Sequence, residues 1–81
     1  MAKQSRKQRE QTASSAIQDI SYDPVTAKLS VHFMDNERGG GRIAVYGGVP
    51  QEVFDELKDA VSVGAYYNYI VRSGFKFLGY E

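Results

Sequence analysis

Few side chains in this sequence could carry chemistry, and their types restrict what that chemistry would be. His32 is the one histidine, and the chain contains no cysteine. A thiolate nucleophile, a thiolate metal centre and an iron–sulfur cluster are therefore excluded. A single imidazole needs an oriented partner to serve as a base, and the sequence around His32 identifies none, so it reads as a solvated strand histidine. Glu52, Asp55, Glu56 and Asp59 recur at helical spacing and could offer oxygen ligands to a divalent ion. No Asp-x-Asp-x-x-Gly loop accompanies them, and the same spacing describes the wet face of an amphipathic helix. The expectation is a protein that is not an enzyme, with no catalytic residue, no metal and no cofactor.

Two other features bear on binding. Arg38-Gly39-Gly40-Gly41-Arg42 sets two guanidinium forks around a flexible stretch. It is not a phosphate-binding loop, since no Gly-Lys-Ser/Thr ending follows and it leads into a strand, but it matches one Arg-Gly-Gly repeat of RNA-binding tails. Tyr46, Tyr66, Tyr67, Tyr69, Phe75, Phe77 and Tyr80 crowd the C-terminal half, interleaved with Arg72 and Lys76. Single-stranded nucleic acids are held by aromatic faces under the bases and cations along the backbone. Arg42, Tyr46, Tyr67, Asn68, Arg72 and Lys76 are accordingly the candidate nucleic-acid-binding residues. A small core without tryptophan also needs aromatics, so the cluster divides. Tyr66, Phe75 and Phe77 are expected inside, and Tyr46, Tyr67, Tyr69 and Tyr80 outside.

The elements that must position these groups follow from periodicity. Ile20 and Tyr22 share one face of a first strand, which Asp23-Pro24 ends in a turn. Ala27, Leu29, Val31 and Phe33 alternate with Lys28, Ser30 and His32, the pattern of a strand with one buried face. Residues 35–41 form a glycine-rich hairpin loop, and alternation resumes over Arg42–Tyr46 with Ile43 and Val45 on one face. Gly47-Gly48 stops that strand. Pro50 suits the start of a helix whose apolar stripe is Val53, Phe54, Leu57, Ala60 and Val61. Ser62 can cap a second helix with Ala65–Val71 as its body, broken by Arg72-Ser73-Gly74, and Phe75–Leu78 alternates as a last strand. The expected fold class is α+β: an antiparallel three-stranded β-meander covered by an amphipathic helix, then a short helix and a terminal strand.

Ten basic and ten acidic residues among 81 give zero net charge, but the balance is uneven along the chain. Four basic groups against one acid make residues 1–12 +3, whereas six against nine make residues 13–81 −3. Residues 1–12 hold no aromatic or β-branched apolar side chain, so 1–13 is expected to be a flexible basic arm and 14–81 one domain. No run approaches the roughly 20 apolar residues of a membrane span, and MAKQSRKQRE lacks the apolar core of a secretory signal. A cytoplasmic protein with no membrane partner is expected.

Ser14-Ser15-x-Ile17, Tyr22-Asp23-Pro24 and the long alternating strand resemble the KTSC domain. So do Gly48-Val49-Pro50 followed by Val53-Phe54 and Leu57, and the closing run Ser62-x-Gly64-x-Tyr66-Tyr67-Asn68-x-x-Ile70-x-Arg72 with Phe75-x-Phe77. The likeness spans residues 14–80. The family takes its name from the C-terminus of some lysyl-tRNA synthetases and also occurs as small stand-alone bacterial proteins. The resemblance implies a small stand-alone bacterial or phage member, and domain context suggests RNA as the partner. Where the family shows a Tyr-x-Tyr pair before Gly-Val-Pro, this chain reads Ala44-Val45-Tyr46, so one tyrosine of that pair is absent. The leading expectation is a non-enzymatic RNA-binding domain. The alternative is a protein–protein interaction or regulatory module without nucleic-acid binding, favoured by the acidic body.

Overall fold

The computed structural model describes residues 8–12, 16–34 and 41–81. Five strands, β1 (Gln8–Gln11), β2 (Ile17–Asp23), β3 (Lys28–Phe33), β4 (Ile43–Gly47) and β5 (Lys76–Tyr80), form one antiparallel sheet in that order. Helix α1 (Gln51–Asp59) and a second helical segment fill the connection between β4 and β5. That segment runs as α2 (Val63–Tyr66), a π turn (Tyr67–Val71) and α3 (Arg72–Gly74). The fold is α+β as expected, but the sheet has five strands rather than three.

One of the added strands comes from the expected arm. Residues 8–11 pair with β2, Gln8 opposite Tyr22 and Gln11 opposite Asp19. The sequence Gln-Arg-Glu-Gln offers nothing apolar to bury, so its order comes from ladder hydrogen bonds and polar side-chain contacts. Gln8 and Gln51 exchange amide hydrogen bonds of 3.2 and 2.8 Å, tying β1 to α1. Residues 1–7 and 13, the rest of that arm, lie outside the described residues, as do positions 35–40 of the Arg-Gly-Gly-containing loop. At the base of that loop a Cβ on Gly41 would collide with the Phe33 carbonyl, so the chain closes there on a bare Cα.

The helices cover one face of the sheet. Ile20 and Tyr22 of β2, Leu29 and Val31 of β3, and Ala44 and Tyr46 of β4 meet Phe54, Leu57, Val63, Tyr67 and Val71. Tyr22 stacks on Phe54 with ring centroids 5.4 Å apart and donates to the Val49 carbonyl at 2.6 Å. Ile17 joins this core although it lies three residues from Ile20, an interval that strict alternation forbids. A bulge between Ile17 and Asp19 absorbs the odd residue, pairing Ile17 with Phe33 and Asp19 with His32. Asp19, next to Ile20 in regular alternation, faces the opposite side of the sheet.

The turn between β2 and β3 uses Asp23 as foreseen. Its carboxylate accepts from the Val25 amide at 2.9 Å and its carbonyl from the Ala27 amide at 2.8 Å. Helix α1 stops sooner than its apolar stripe suggests: Ala60 is extended, and Val61 is fully exposed rather than covering the sheet. Ser62 caps α2 by accepting from the Ala65 amide at 3.2 Å. Helicity then continues through Arg72–Gly74 rather than breaking there, and the terminal strand starts one residue later than Phe75 and extends to Tyr80.

Candidate functional site

The aromatic side chains meet where β3, β4 and β5 approach the second helical segment. A groove of about 500 Å³ is lined there by Phe33, Tyr46, Tyr67, Asn68, Arg72, Phe77 and Tyr80. Strand β4 brings Tyr46 from below, β5 supplies Phe77 and Tyr80, and the π turn delivers Tyr67 and Asn68. In that turn the Arg72 amide reaches the Tyr67 carbonyl, five residues back. The wider turn keeps Val63, Tyr67 and Val71 on one buried line, where ordinary α-helical pitch would drift away from the core.

The rings form a continuous chain of edge and tilted contacts. Phe33–Tyr67 centroids lie 5.3 Å apart at 76°, Tyr46–Tyr67 5.9 Å at 74°, Tyr46–Phe77 5.5 Å at 55° and Phe77–Tyr80 5.1 Å at 70°. The Tyr46 and Tyr67 hydroxyls share a buried 2.6 Å hydrogen bond. Burial first, and that bond second, push the Tyr67 phenol well above its usual range. It stays neutral at ordinary pH. Arg42 lies over the Tyr80 ring, its Cζ 5.1 Å from the centroid.

Four of the six expected binding residues, Tyr46, Tyr67, Asn68 and Arg72, therefore line one groove, and Arg42 joins its rim through Tyr80. Lys76 stands in register with Gly47 at the start of β5 and does not line it. Three burial expectations are corrected. Tyr46 and Tyr67, expected outside, are 4% and 8% exposed, because β4 turns Ala44 and Tyr46 rather than Ile43 and Val45 to the helices and Tyr67 stands four residues from buried Val63 and Val71 on the covered line of the helical segment. Phe77, expected inside, is 46% exposed, since β5 is the outer strand of the sheet and the groove beside it is open. Tyr69 and Tyr80 are exposed as expected, and Tyr66 and Phe75 pack partly buried against the core. The tyrosines assigned to stacking are thus the groove's floor, and Phe77 and Tyr80 present its accessible rings. Phe33 was legible as an inward strand residue but not as part of a site, since only the sheet's closure on β5 brings it there.

A second polar cluster was missed on the other face of the sheet. Arg9 Nη2 bonds Asp19 Oδ2 at 2.8 Å, and His32 Nδ1 lies 3.4 Å from the same oxygen. His32 thus has the carboxylate neighbour that its sequence surroundings did not reveal. The spacing of 13 between the two residues signals nothing by itself; their pairing follows from the β2–β3 hairpin register.

This topology and sequence match known proteins. The KTSC domain family matches residues 13–75. A protein of Tsukamurella paurometabola is 41% identical over 63 residues, which cover 78% of this chain and 87% of that one. The crystal structure of a KTSC domain protein from Yersinia pestis superimposes with a TM-score of 0.72 at 31% identity, covering 90% of this chain and 99% of the other. The chain belongs to the KTSC domain family. Among the described residues, no helix is long and apolar enough to cross a membrane, and no group of three or more potential ligands could hold a metal ion.

Proposed function

We propose that the groove between β5 and the π turn binds single-stranded RNA without catalysing a reaction on it. The observation that carries this reading is the pairing of two accessible rings with cations and an amide. Phe77 and Tyr80 (46% and 58% exposed) lie beside Arg72, Asn68 and the Arg42 guanidinium. A base laid on such a ring is stabilised by about 1–3 kcal/mol, and the arginines supply positive charge for the flanking phosphates. Asn68, exposed on the groove's lip, offers both a donor and an acceptor to a base edge. The buried Tyr46–Tyr67 pair holds the floor rigid beneath them.

The test is fluorescence anisotropy of a labelled single-stranded oligouridylate with the full chain at low salt, followed by a salt titration. Affinity should fall as salt rises, with a log–log slope of about −0.7 per phosphate neutralised. Tyr80→Ala, at an exposed edge position, should weaken binding at least about fivefold while leaving the fold intact. If the oligonucleotide does not bind at low salt, the reading is wrong. The competing reading, a protein-interaction module, is favoured by one feature: β5 is an outer strand that exposes Leu78 as well as Phe77 and Tyr80.

A further inference from the structure

The sheet face turned away from the helices holds a separate cleft of about 390 Å³, lined by Arg9, Asp19, Ser21, Ser30, His32, Ile43 and Glu81. We infer that this cleft binds a short zwitterionic peptide of about three residues, extended across the strands from Arg9 to Glu81.

The cleft is built rather than incidental. Arg9, Ser21, Ser30 and Val45 fall opposite one another on neighbouring strands, as do Gln11, Asp19, His32 and Ile43 one row along. The Glu81 amide extends the second row by donating to the Ile43 carbonyl at 2.8 Å. Ser30 is only 8% exposed, and its hydroxyl has no hydrogen-bond partner among the described residues, although it faces into the cleft. A buried hydroxyl left unpaired is costly, so this position calls for an occupant that can hydrogen-bond.

Charge selects the class of occupant. Asp19 is matched by Arg9, which leaves the Glu81 carboxylate as a cleft charge without an ion-pair partner among the described residues. The Arg9 guanidinium is 64% exposed and spends only one nitrogen on Asp19, so donors remain for an incoming carboxylate. A simple anion on Arg9 would leave Glu81 unpaired, and a simple cation on Glu81 would leave the free Arg9 donors unused. A molecule carrying an ammonium at one end and a carboxylate at the other satisfies both rims. Between them Ser21, Ser30 and His32 supply the mixed donors and acceptors that peptide groups need, and Ile43 supplies an apolar surface.

Length follows from strand spacing. The Arg9 head lies in the lane of β2, and Glu81 continues the lane of β5, three spacings or about 14 Å away before the glutamate reaches back. An extended tripeptide spans about 10 Å, which suits that gap, whereas a single amino acid does not bridge it.

Triglycine titrated into the ¹⁵N-labelled full chain should shift the amides of Ser21, Ser30, His32, Ile43 and Glu81. N-acetyl-triglycine and triglycine amide should each bind at least about tenfold more weakly, since each lacks one terminal charge. Glu81→Lys, at an exposed position, should also cost at least about tenfold while leaving the thermal midpoint unchanged. Ser30→Val should weaken binding at least about tenfold by removing the unpaired hydroxyl, and the circular dichroism spectrum will show whether that variant folds. Equal binding of the blocked peptides, an unaffected Glu81→Lys variant, or no shift at these amides in millimolar triglycine would each overturn the assignment. So would shifts confined to Phe77 and Tyr80, which belong to the RNA groove.

Discussion

The hydroxyls of Tyr46 and Tyr67, 21 residues apart in sequence, lie 2.6 Å from each other beneath the aromatic groove. One stands on β4 and the other on the π turn, so this hydrogen bond joins the helical segment to the sheet within their apolar contact. Each hydroxyl is the other's means of leaving water. Tyr67→Phe should therefore destabilise the domain by about 1–3 kcal/mol, because the Tyr46 hydroxyl remains buried and unpaired. The double variant Tyr46→Phe/Tyr67→Phe should recover part of that loss. Urea unfolding of the two single variants and the double variant yields the coupling, and purely additive losses would contradict a shared bond.

Alkaline pH should loosen the same region. Burial, then the 2.7 Å hydrogen bond to Glu56, pushes the Tyr66 phenol up to about 12. In the unfolded chain a tyrosine ionises near about 10. The folded state thus resists ionisation, so this contribution is complete below about pH 10 and is lost as pH climbs toward about 12. Tyr22 and Tyr67 are shifted in the same direction, chiefly by burial. Thermal midpoints measured across that window should fall, and Tyr66→Phe should make the fall shallower. An identical profile for the variant would remove Tyr66 from the account.

Ala27 adopts φ 59° at the end of the β2–β3 turn, where its amide bonds Asp23 and its carbonyl accepts from Val49. A Cβ in the left-handed region is unfavourable by about 1–2 kcal/mol, and glycine relieves it at some cost in unfolded-state entropy. Ala27→Gly should be neutral to stabilising by about 1 kcal/mol, the reverse of the usual effect of glycine in a chain. Chemical denaturation decides this; a loss of more than about 1 kcal/mol would show that the methyl group packs favourably.

Strand β1 depends on side-chain contacts to remain in the sheet. Asp19→Ala removes the carboxylate that Arg9 bridges, and the Gln8–Gln51 amide pair is then the main remaining side-chain tether described for β1. Amide hydrogen exchange at residues 8–11 should quicken by about tenfold, while exchange in β3 and β4 stays the same. Uniform acceleration across the sheet would instead mean that Asp19 supports the whole domain.

Where one pattern excluded the others, the sequence was readable. Residues 27–33 alternate with apolar groups on one side and polar groups on the other, and β3 buries Leu29 and Val31 as that alternation requires. Strand β4 is apolar on both sides, so alternation gave no means of choosing between Ile43 with Val45 and Ala44 with Tyr46. Tyr67 was misplaced because Tyr66 with Ile70 and Tyr67 with Val71 have the same helical spacing, and spacing alone does not say which line faces the sheet. Strand β1 was hidden for a different reason: its ordering comes from partners distant in sequence, chiefly Asp19 and Gln51. The candidate groove was legible as a composition, aromatics mixed with arginines, yet which rings would be floor and which surface depended on the order of strands.

The two outer strands of the sheet have opposite characters. Strand β1 is short and carries Arg9 and Glu10, whereas β5 exposes Phe77, Leu78 and Tyr80. Charges on an outer strand discourage pairing with another chain, and apolar groups invite it. Any strand-to-strand association of this molecule would therefore be directional. Two copies meeting through β5 would use up both receptive edges and present only β1 outward, so growth would end at a pair rather than continue into a fibre.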